Sequence, residues 1–285
     1  FESALGSMLI QVGGHPGIVQ ERGQYVLKNA LNTETMFYET MYDTSGESDA
    51  KKAMFRAWMP LCYGIADAQG HWLPGWPRIP LDDVQLPQLS IGSHTLVLEN
   101  LVRPFVYANV CDIKLGTILY NDQNTELSSE KRERMHQKAS DTTSGTFGIR
   151  ITGFCTWDAS KQAFVQSGKA PGKAARTKED LQRLLYDAWG ASSPVRERVI
   201  HTHLLPRIEA LRDTLAHLPV KIRSASVLVV MEGDDARLQA LLARGERVLD
   251  VRIIDFAHSR WAEAPDDGVL LGLETLYELG SRLIA

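Results

Sequence analysis

The spacing of hydrophobic and polar residues along the chain predicts an alternation of strands and helices. Short apolar runs bounded by glycine, proline or polar residues predict strands over residues 8–12, 24–27, 95–98, 147–156, 227–231 and 251–256. Helical periodicity and capping residues predict helices over 33–42 and 128–139, after Thr177, along a leucine stripe from Leu204 to Leu218, and from about Gly268. Strands and helices are therefore mixed along the whole chain.

The order of these elements predicts an α+β fold with two lobes. A β-rich N-terminal lobe with one helix covers residues 1–99, and a larger mixed lobe covers residues 100–285, with Pro104 near the connection. The strands at 227–231 and 251–256 are expected to form the central hairpin of the larger lobe. ATP-dependent phosphotransferases often have two lobes, because the cleft between them closes and excludes water, but many other α+β proteins share this outline.

Composition excludes several classes of protein. With 44% hydrophobic and 23% charged residues, the chain has the balance of a soluble globular protein. It has no apolar run of the roughly 18 residues that cross a bilayer and no signal-peptide pattern, and residues 1–7 are interpreted as a leader outside the fold. Three scattered cysteines without a C-x-x-C pair indicate a reducing compartment and argue against structural zinc and disulfides.

The net charge of −4 does not indicate direct nucleic-acid binding. A polyanionic ligand would therefore need a local basic cluster, and one is present. Three cations recur at i, i+3 and i+7 of the helix at 128–139, and a fourth lies on the next predicted strand: Lys131, Arg134, Lys138 and Arg150. Cations on one stripe repel each other unless a polyanion neutralises them. A small, multiply phosphorylated ligand would suit this stripe, and a solvated face tempered by Glu130 and Glu133 is the alternative.

Lys28 and Glu34 match one requirement of phosphoryl transfer. That reaction needs cations for the phosphates, a carboxylate for Mg²⁺ and a positioned hydroxyl. Lys28 ends a predicted strand, and Glu34 lies on the next predicted helix. A strand lysine paired with a helix glutamate holds the α- and β-phosphates of ATP in kinase-like lobes. A surface lysine at the end of a strand is the alternative.

Three more charged residues lie within predicted strands. Asp255 follows a buried apolar run, where a carboxylate is costly unless it is paired or binds a metal. It is interpreted as a Mg²⁺ ligand, or alternatively as a strand cap or an ion-pair partner of Arg252. Asp112 and Lys114 alternate, so on a strand they share one face. In a cleft they could hold a sugar hydroxyl and a phosphate, and a surface ion pair is the alternative.

Several segments resemble the motifs of the inositol polyphosphate kinase family. Asn109–Gly116 resembles its P-x-x-x-D-x-K-x-G signature, although Ala108 stands where the family has proline. Ile254–His258 resembles its metal-binding I-D-F-A-H segment. Further similarities cover the N-terminal G-H-x-G loop at 14–17, an inositide-binding insert like that of fungal multikinases at 128–135, 142–144 and 148–154, and the terminal pattern at 267–273.

The resemblance implies a protein-kinase-like fold whose helical inositide-binding insert covers residues 121–147, with ATP and Mg²⁺ as cofactors. It also implies a role for each matching residue. ATP would be bound by Lys28 at the phosphates, by Glu99 and Leu101 at the adenine, and by Asp112 at the ribose. Lys114 would lie by the transferred phosphate and the attacking hydroxyl, and Asp255 would bind Mg²⁺. The inositol phosphate site would be lined by Lys114, Lys131, Arg134, Lys138 and His258.

The expected activity is that of an inositol polyphosphate multikinase, which converts inositol trisphosphate through tetrakisphosphate to pentakisphosphate. The nearest competing activity is that of the branch that makes pyrophosphates from inositol hexakisphosphate, whose signature reads more like D-L-K-M-G than the segment from Asp112 to Gly116. Two further hypotheses are more distant. In one, the protein has a non-catalytic role with transcription regulators as partners. In the other, it is an unrelated small-molecule phosphotransferase. The resemblance also implies a nuclear and cytoplasmic location.

Overall fold

A computed structural model describes residues 19–45, 48–81, 84–87, 93–123 and 127–283. The strand predicted at 8–12 and the glycine motif at 14–17 lie outside the described residues. Within the described ranges, no helix is long and apolar enough to cross a bilayer. The described chain contains two antiparallel sheets of four and five strands, with helices packed around them.

The first sheet has the strand order β1-β2-β4-β3, with β1 (Val19–Arg22), β2 (Tyr25–Leu31), β3 (Cys62–Ala66) and β4 (Ser93–Glu99). Two helices accompany it, α1 (Asn32–Tyr42) and α2 (Asp49–Arg56). The prediction that β2 ends at Lys28 is wrong. Pairing with β4 continues to Leu31, opposite Ser93, so the ladder of hydrogen bonds extends the strand through its polar residues.

The second sheet has the order β10-β9-β5-β6-β7, with β5 (Ala108–Leu115), β6 (Ile149–Asp158), β7 (Ala163–Ser167), β9 (Ser226–Glu232) and β10 (Leu249–Ile254). A small two-stranded sheet pairs β8 (Val220–Lys221) with β11 (Arg260–Trp261). The helices are α3 (Ser129–Ser140), α4 (Thr143–Phe147), α5 (Lys169–Ala174), α6 (Lys178–Trp189), α7 (Pro194–Val199), α8 (Leu205–Ala216), α9 (Asp235–Arg244) and α10 (Asp267–Ser281), with a π-helical turn at Ile200–Leu204.

Three predictions for this part of the chain need correction. β9 and β10 are not a central hairpin, because α9 connects them and β10 lies at the edge of the sheet while β5 is at its centre. β10 ends at Ile254, because Asp255 adopts a left-handed backbone with φ of 67°. β6 begins at Ile149, since Phe147 closes α4 and left-handed Gly148 separates the helix from the strand.

The helices predicted from local patterns are confirmed. Thr177 and Asp180 form a reciprocal capping box at the start of α6, and the side chain of Ser128 caps α3. The leucine stripe from Leu204 to Leu218 is fully buried. Pro206 lies in the first turn of α8, where its missing N–H is tolerated, directly after the π-helical turn.

One hydrophobic core extends from the first sheet into the second. At the junction the ring of Phe256 stacks on Phe37 of α1 at 4.8 Å and meets Tyr38 and Phe55 edge-on. Phe256 directly follows Asp255, so the segment after β10 is held against α1 by aromatic packing. The division of the chain at residues 99 and 100 stays a prediction. The first sheet lies within 19–99, and the second within 108–254.

Gly148 lets α10 approach the start of β6. Its φ is 67°, and a Cβ added there would lie 2.6 Å from Gly272 N and 2.7 Å from Gly268 O. We expect Gly148→Ala to lower the free energy of unfolding by about 2–5 kcal/mol, combining the cost of a left-handed alanine with overpacking. Urea unfolding followed by circular dichroism measures this change.

Gly245→Ala is the matched control. Gly245 has nearly the same φ, 65°, but nothing lies within 4 Å of an added Cβ. Only the backbone cost of about 1–2 kcal/mol is expected there. Equal losses of stability in the two variants would contradict the steric role of Gly148.

Candidate active site

Lys28, Glu34 and Asp255 meet between the two sheets. The Lys28 ammonium lies 2.7 Å from Glu34 Oε1 and 2.5 Å from Asp255 Oδ1. Glu34 Oε1 also accepts a hydrogen bond from the backbone N–H of Phe256 at 3.0 Å. The predicted lysine–glutamate pair is therefore formed, and the surface-lysine alternative is wrong, because the Lys28 side chain is only 12% exposed.

Lys28 and Asp255 each favour the ionised form of the other. Burial opposes the ammonium of Lys28, but Glu34 and Asp255 outweigh it and raise the pKa of Lys28 well above its usual range. Burial also opposes the carboxylate of Asp255, and the positive charges of Lys28 and Lys114 lower its pKa nevertheless. The ammonium of Lys28 therefore lies between two carboxyl groups, those of Glu34 and Asp255.

Asp255 is the accessible member of the cluster. Its side chain is 39% exposed, whereas that of Glu34 is buried. The alternative ion pair with Arg252 is not formed, since Arg252 Nε binds Asp250 at 3.0 Å. The left-handed backbone of Asp255 turns the chain away from β10 directly at this carboxylate, and aspartate is one of the few residues that tolerate this conformation.

Asp112 and Lys114 share the face of β5 that points away from the core. They do not form the surface ion pair that was the alternative, because Asp112 is only 4% exposed and no salt bridge joins it to Lys114. Its Oδ1 atom has no hydrogen-bond partner among the described residues. Burial raises the pKa of Asp112 and Asp255 adds to this, while Thr152 and Lys114 oppose it. Asp112 thus presents a buried acceptor that a hydroxyl donor could satisfy.

Lys114 is held by a backbone carbonyl. Its Nζ donates a hydrogen bond to Ser224 O at 2.5 Å, and burial lowers the pKa of Lys114 despite the opposing charges of Asp112 and Asp255. Ser224 has a left-handed backbone with φ of 56°. The sequence gives no signal for this contact, because it joins positions 110 residues apart.

A buried ionic network lies beside Ser224. The guanidinium of Arg223 donates to Asp266, the N-cap residue of α10, and to Asp122 at 3.4 Å. Asp122 also accepts from Arg260 at 3.3 Å. The network therefore links the segment before α3, the loop that holds Lys114, and the start of α10, and none of these residues was predicted to belong to the site.

Lys114 also lies directly opposite Arg150 in the pairing of β5 with β6. Like charges at opposed positions of neighbouring strands repel each other. Arg150 is only 6% exposed, and the only hydrogen bond from its side chain to a described residue is a long one of 3.5 Å to Thr142 Oγ1. Burial lowers the pKa of Arg150, and Asp112 partly opposes the effect.

Two of the three cations of the predicted basic stripe on α3 act on the residues around Lys114: Lys131 on His258, and Lys138 with Arg150. The pKa of His258 is lowered by burial and by the charges of Lys114 and Lys131, and that of Lys138 by burial and by Arg150. Arg134 is exposed on the same helix, but no contact joins it to this group in the described part of the chain. Neither Glu130 nor Glu133 forms an ion pair with a described residue, but Lys131, Arg134 and Lys138 are all exposed, so the alternative of a solvated face stays open.

Glu99 and Leu101 lie where the chain passes from the first sheet to the second. Glu99 is the last residue of β4, and Leu101 is buried in a small cluster with Phe105. The following backbone is fixed by the buried carboxylate of Glu232, which accepts from Val106 N at 3.0 Å and Tyr107 N at 3.2 Å. No role for Glu232 follows from the sequence, and its contacts assign it to the support of this connection.

The sequence profile of the inositol polyphosphate kinase family matches residues 95–280. The chain belongs to this family. The match extends from β4 to α10 and includes both motifs that carry Asp112, Lys114 and Asp255. Membership confirms the prediction of an ATP-dependent inositol polyphosphate kinase.

Relatives and solved structures agree with this assignment. The inositol polyphosphate multikinase of Schizosaccharomyces pombe is 26% identical to this chain, in an alignment that covers 96% of both proteins. The multikinase of Saccharomyces cerevisiae is 25% identical, in an alignment that covers 94% of this chain and 96% of the relative. Human inositol hexakisphosphate kinase 3 is 28% identical over 89% of this chain, which spans 63% of that relative. The solved multikinase of S. cerevisiae, in complex with ADP and Mn²⁺, matches with a TM-score of 0.69 at 25% identity over 91% of this chain and 99% of its own. The predicted two-lobe, kinase-like α+β fold is thereby confirmed.

The ionic network around Arg223 holds the loop that contacts Lys114, and we expect its removal to destabilise the protein. We expect Arg223→Met to lower the free energy of unfolding by about 3–5 kcal/mol, because the buried Asp266 carboxylate loses its cation. Urea unfolding measures the change. Arg244→Met is the control, since exposed Arg244 pairs with exposed Glu246 and should cost far less. Similar losses in both variants would contradict the supporting role of the network.

Proposed function

We propose that this chain is an inositol polyphosphate multikinase, which transfers the γ-phosphate of MgATP to inositol 1,4,5-trisphosphate and then to the tetrakisphosphate, giving the pentakisphosphate. The observation that carries the proposal is the pair of cations Lys114 and Arg150, opposed on neighbouring strands. Neither forms an ion pair with a carboxylate of the described chain. A multiply phosphorylated acceptor would remove their repulsion.

In this proposal, ATP is bound by the residues that lie between the two sheets. The ammonium of Lys28, fixed by Glu34, binds the phosphates of the nucleotide. Asp112 Oδ1, which lacks a partner among the described residues, accepts hydrogen bonds from the ribose hydroxyls. The backbone of Glu99 and Leu101 binds the adenine, at a segment that Glu232 holds in place.

The residues present fit a divalent cation. In nucleotide sites Mg²⁺ is bound by one or two carboxylates together with phosphate oxygens and water. The described residues contain no group of three or more His, Cys, Asp or Glu side chains arranged as a complete metal site. Asp255, ionised and partly exposed, fits as the protein ligand, and Mg²⁺ would neutralise charge on the β- and γ-phosphates.

Lys114 acts at the reacting atoms. The oxygen of the acceptor hydroxyl forms a bond to the γ-phosphorus while the bond from that phosphorus to the β–γ bridging oxygen breaks; ADP leaves, and the hydroxyl proton passes to solvent. The ammonium of Lys114 is held by Ser224 O, and in this proposal it stabilises the charge on the transferred group. The phosphates already on the ring bind Lys131, Arg134, Lys138 and His258, with Arg150 added to the predicted set.

Two observations bear on the branch of the family. The S. pombe multikinase is covered over 96% of its length, whereas the human hexakisphosphate kinase is covered over 63%, which favours the multikinase. The identity of 28% to the latter makes a hexakisphosphate kinase the second candidate. A nuclear and cytoplasmic location and transcription regulators as partners stay predictions.

The proposal is tested with purified protein, MgATP and inositol 1,4,5-trisphosphate. We expect tetrakisphosphate and then pentakisphosphate, separated by anion-exchange chromatography. Pyrophosphate-containing products from inositol hexakisphosphate, with no turnover of the trisphosphate, would instead assign the chain to the second candidate. Absence of MgATP-dependent turnover on any inositol phosphate would refute a catalytic role.

Asp255→Asn separates the metal role from the fold. Asparagine tolerates the left-handed backbone at this position, and Lys28 keeps Glu34 as its partner, so the variant should remain folded, with a lowered thermal unfolding midpoint that stays above the assay temperature. Loss of the anionic ligand should lower turnover by at least about 100-fold, the scale for removing one electrostatic contact to the transition state. Turnover within a few-fold of wild type would contradict the role of Asp255.

A further inference from the structure

The loop between α2 and β3 is bound to β10, the edge strand of the second sheet. Three consecutive backbone carbonyls of this loop accept hydrogen bonds from the end of β10. Arg252 Nη1 donates to Ala57 O at 2.8 Å and to Met59 O at 3.3 Å. Between these two contacts, Trp58 O accepts from the backbone N–H of Ile253 at 2.7 Å. The α2–β3 loop therefore forms a second junction between the two halves of the chain, beside the one at Lys28.

A buried carboxylate orients the guanidinium that makes these contacts. Arg252 Nε lies 3.1 Å from Asp250 Oδ1 and 3.0 Å from Oδ2, and the Asp250 side chain is only 3% exposed. The two residues are two positions apart on a strand, so their side chains lie on the same face. Because the guanidinium is planar and its donors point in fixed directions, binding of Nε to Asp250 directs Nη1 towards the loop.

Asp255 lies between two contacts with α2 and its loop. Before it, Arg252 and Ile253 are bound to the α2–β3 loop by hydrogen bonds. After it, Phe256 meets Phe55 of α2 edge-on, with ring centroids 5.9 Å apart, and both rings are fully buried. The backbone that carries the Asp255 carboxylate is therefore held on both sides by one segment of the chain.

The two contacts differ in how narrowly they fix the distance between α2 and β10. Aromatic packing at Phe256 allows a range of ring positions, whereas the hydrogen bonds of Arg252 require short distances and near-linear geometry. A ligand of Mg²⁺ needs such accuracy, because this ion demands near-ideal octahedral geometry. A misplacement of about 1 Å at a reacting site can lower the rate roughly 100-fold.

We propose that Arg252 is a positioning residue for the carboxylate of Asp255, which it places for metal binding by holding the α2–β3 loop against β10. This inference rests on the proposed function, in which Asp255 is the protein ligand of Mg²⁺. Arg252 acts through the two backbone residues that separate it from Asp255. Without its guanidinium, α2 and β10 can move apart, and the carboxylate of Asp255 moves relative to Lys28 on the first sheet.

Arg252→Met removes the forked donor and keeps the apolar stem of the side chain. The variant should remain folded, because the guanidinium carbon of Arg207 still lies 4.4 Å from the ring centroid of Trp58 and holds the loop. In the presence of a non-hydrolysable ATP analogue, we expect the Kd of Mn²⁺ to rise by about 10-fold or more, the scale for removing an outer partner of a metal ligand. Electron paramagnetic resonance of free Mn²⁺ measures this Kd without turnover. A Kd equal to that of the wild type would overturn the proposal.

Steady-state kinetics and hydrogen exchange provide two further measurements on Arg252→Met. We expect kcat to fall with the loss of metal affinity, while KM for inositol trisphosphate stays within about twofold of the wild type. The N–H of Ile253 should exchange faster, because Trp58 O is its acceptor. Unchanged exchange at Ile253 would overturn the proposal, since Arg252 would then not hold the loop.

Arg247→Met is the matched control for the loss of a cation beside Asp250. Arg247 donates to the same carboxylate, but among the described residues it forms no hydrogen bond with the α2–β3 loop. It should therefore keep the wild-type Kd of Mn²⁺, and an equal rise in both variants would overturn the proposal.

Arg252→Lys decides the test if Arg252→Met does not fold. Lysine keeps a positive charge beside Asp250 but replaces the planar fork with a single ammonium, so Mn²⁺ binding should again weaken. A wild-type Kd in this variant would overturn the proposal.

Asp255→Asn, measured in the same Mn²⁺ titration, separates this inference from the proposed function. If Asp255→Asn weakens Mn²⁺ binding and Arg252→Met does not, the inference fails and the metal role of Asp255 stands. If neither variant weakens it, the metal role and the inference both fail. If both weaken it but the wild type turns over no inositol phosphate, the proposed function fails while the positioning role of Arg252 is supported.

Discussion

The ammonium of Lys28 connects the two halves of this protein. It lies between the buried carboxylate of Glu34 on α1 and that of Asp255 after β10, and Glu34 also accepts the N–H of Phe256. Without this cation two carboxylates would face each other in a poorly solvated space, which is strongly unfavourable. The positions of α1, of Asp255 and of the aromatic contacts of Phe256 all depend on this interaction.

On the opposite side of the site, several cations lie close enough to repel one another. Lys114 opposes Arg150 across two strands, and Lys138 is close to Arg150 and to the lysines of α5. The overall charge of the chain is negative, so this arrangement is local. Asp255 lies next to this group of cations, and under the proposed function Mg²⁺, ATP and a phosphorylated acceptor would together supply the charges that both sides need.

The sequence predicted the features that depend on local patterns. The capping box at Thr177, the Ser128 cap and the buried leucine stripe follow from residues a few positions apart, and the motifs identified Asp112, Lys114 and Asp255. The central position of β5 and the extension of β2 past Lys28 depend on strand pairing between distant segments. The support of Lys114 by Ser224 O and the approach of α5 to β6 are contacts of backbone atoms, which no side-chain pattern encodes.

A crystal structure with a non-hydrolysable ATP analogue, Mg²⁺ and inositol 1,4,5-trisphosphate tests the central claim most directly. We predict a Mg²⁺ ion about 2.0–2.1 Å from a carboxylate oxygen of Asp255, the ribose against Asp112, and the inositol ring between Lys114 and α3. A metal ion bound away from Asp255, or an inositol ring remote from Lys114 and Arg150, would contradict it.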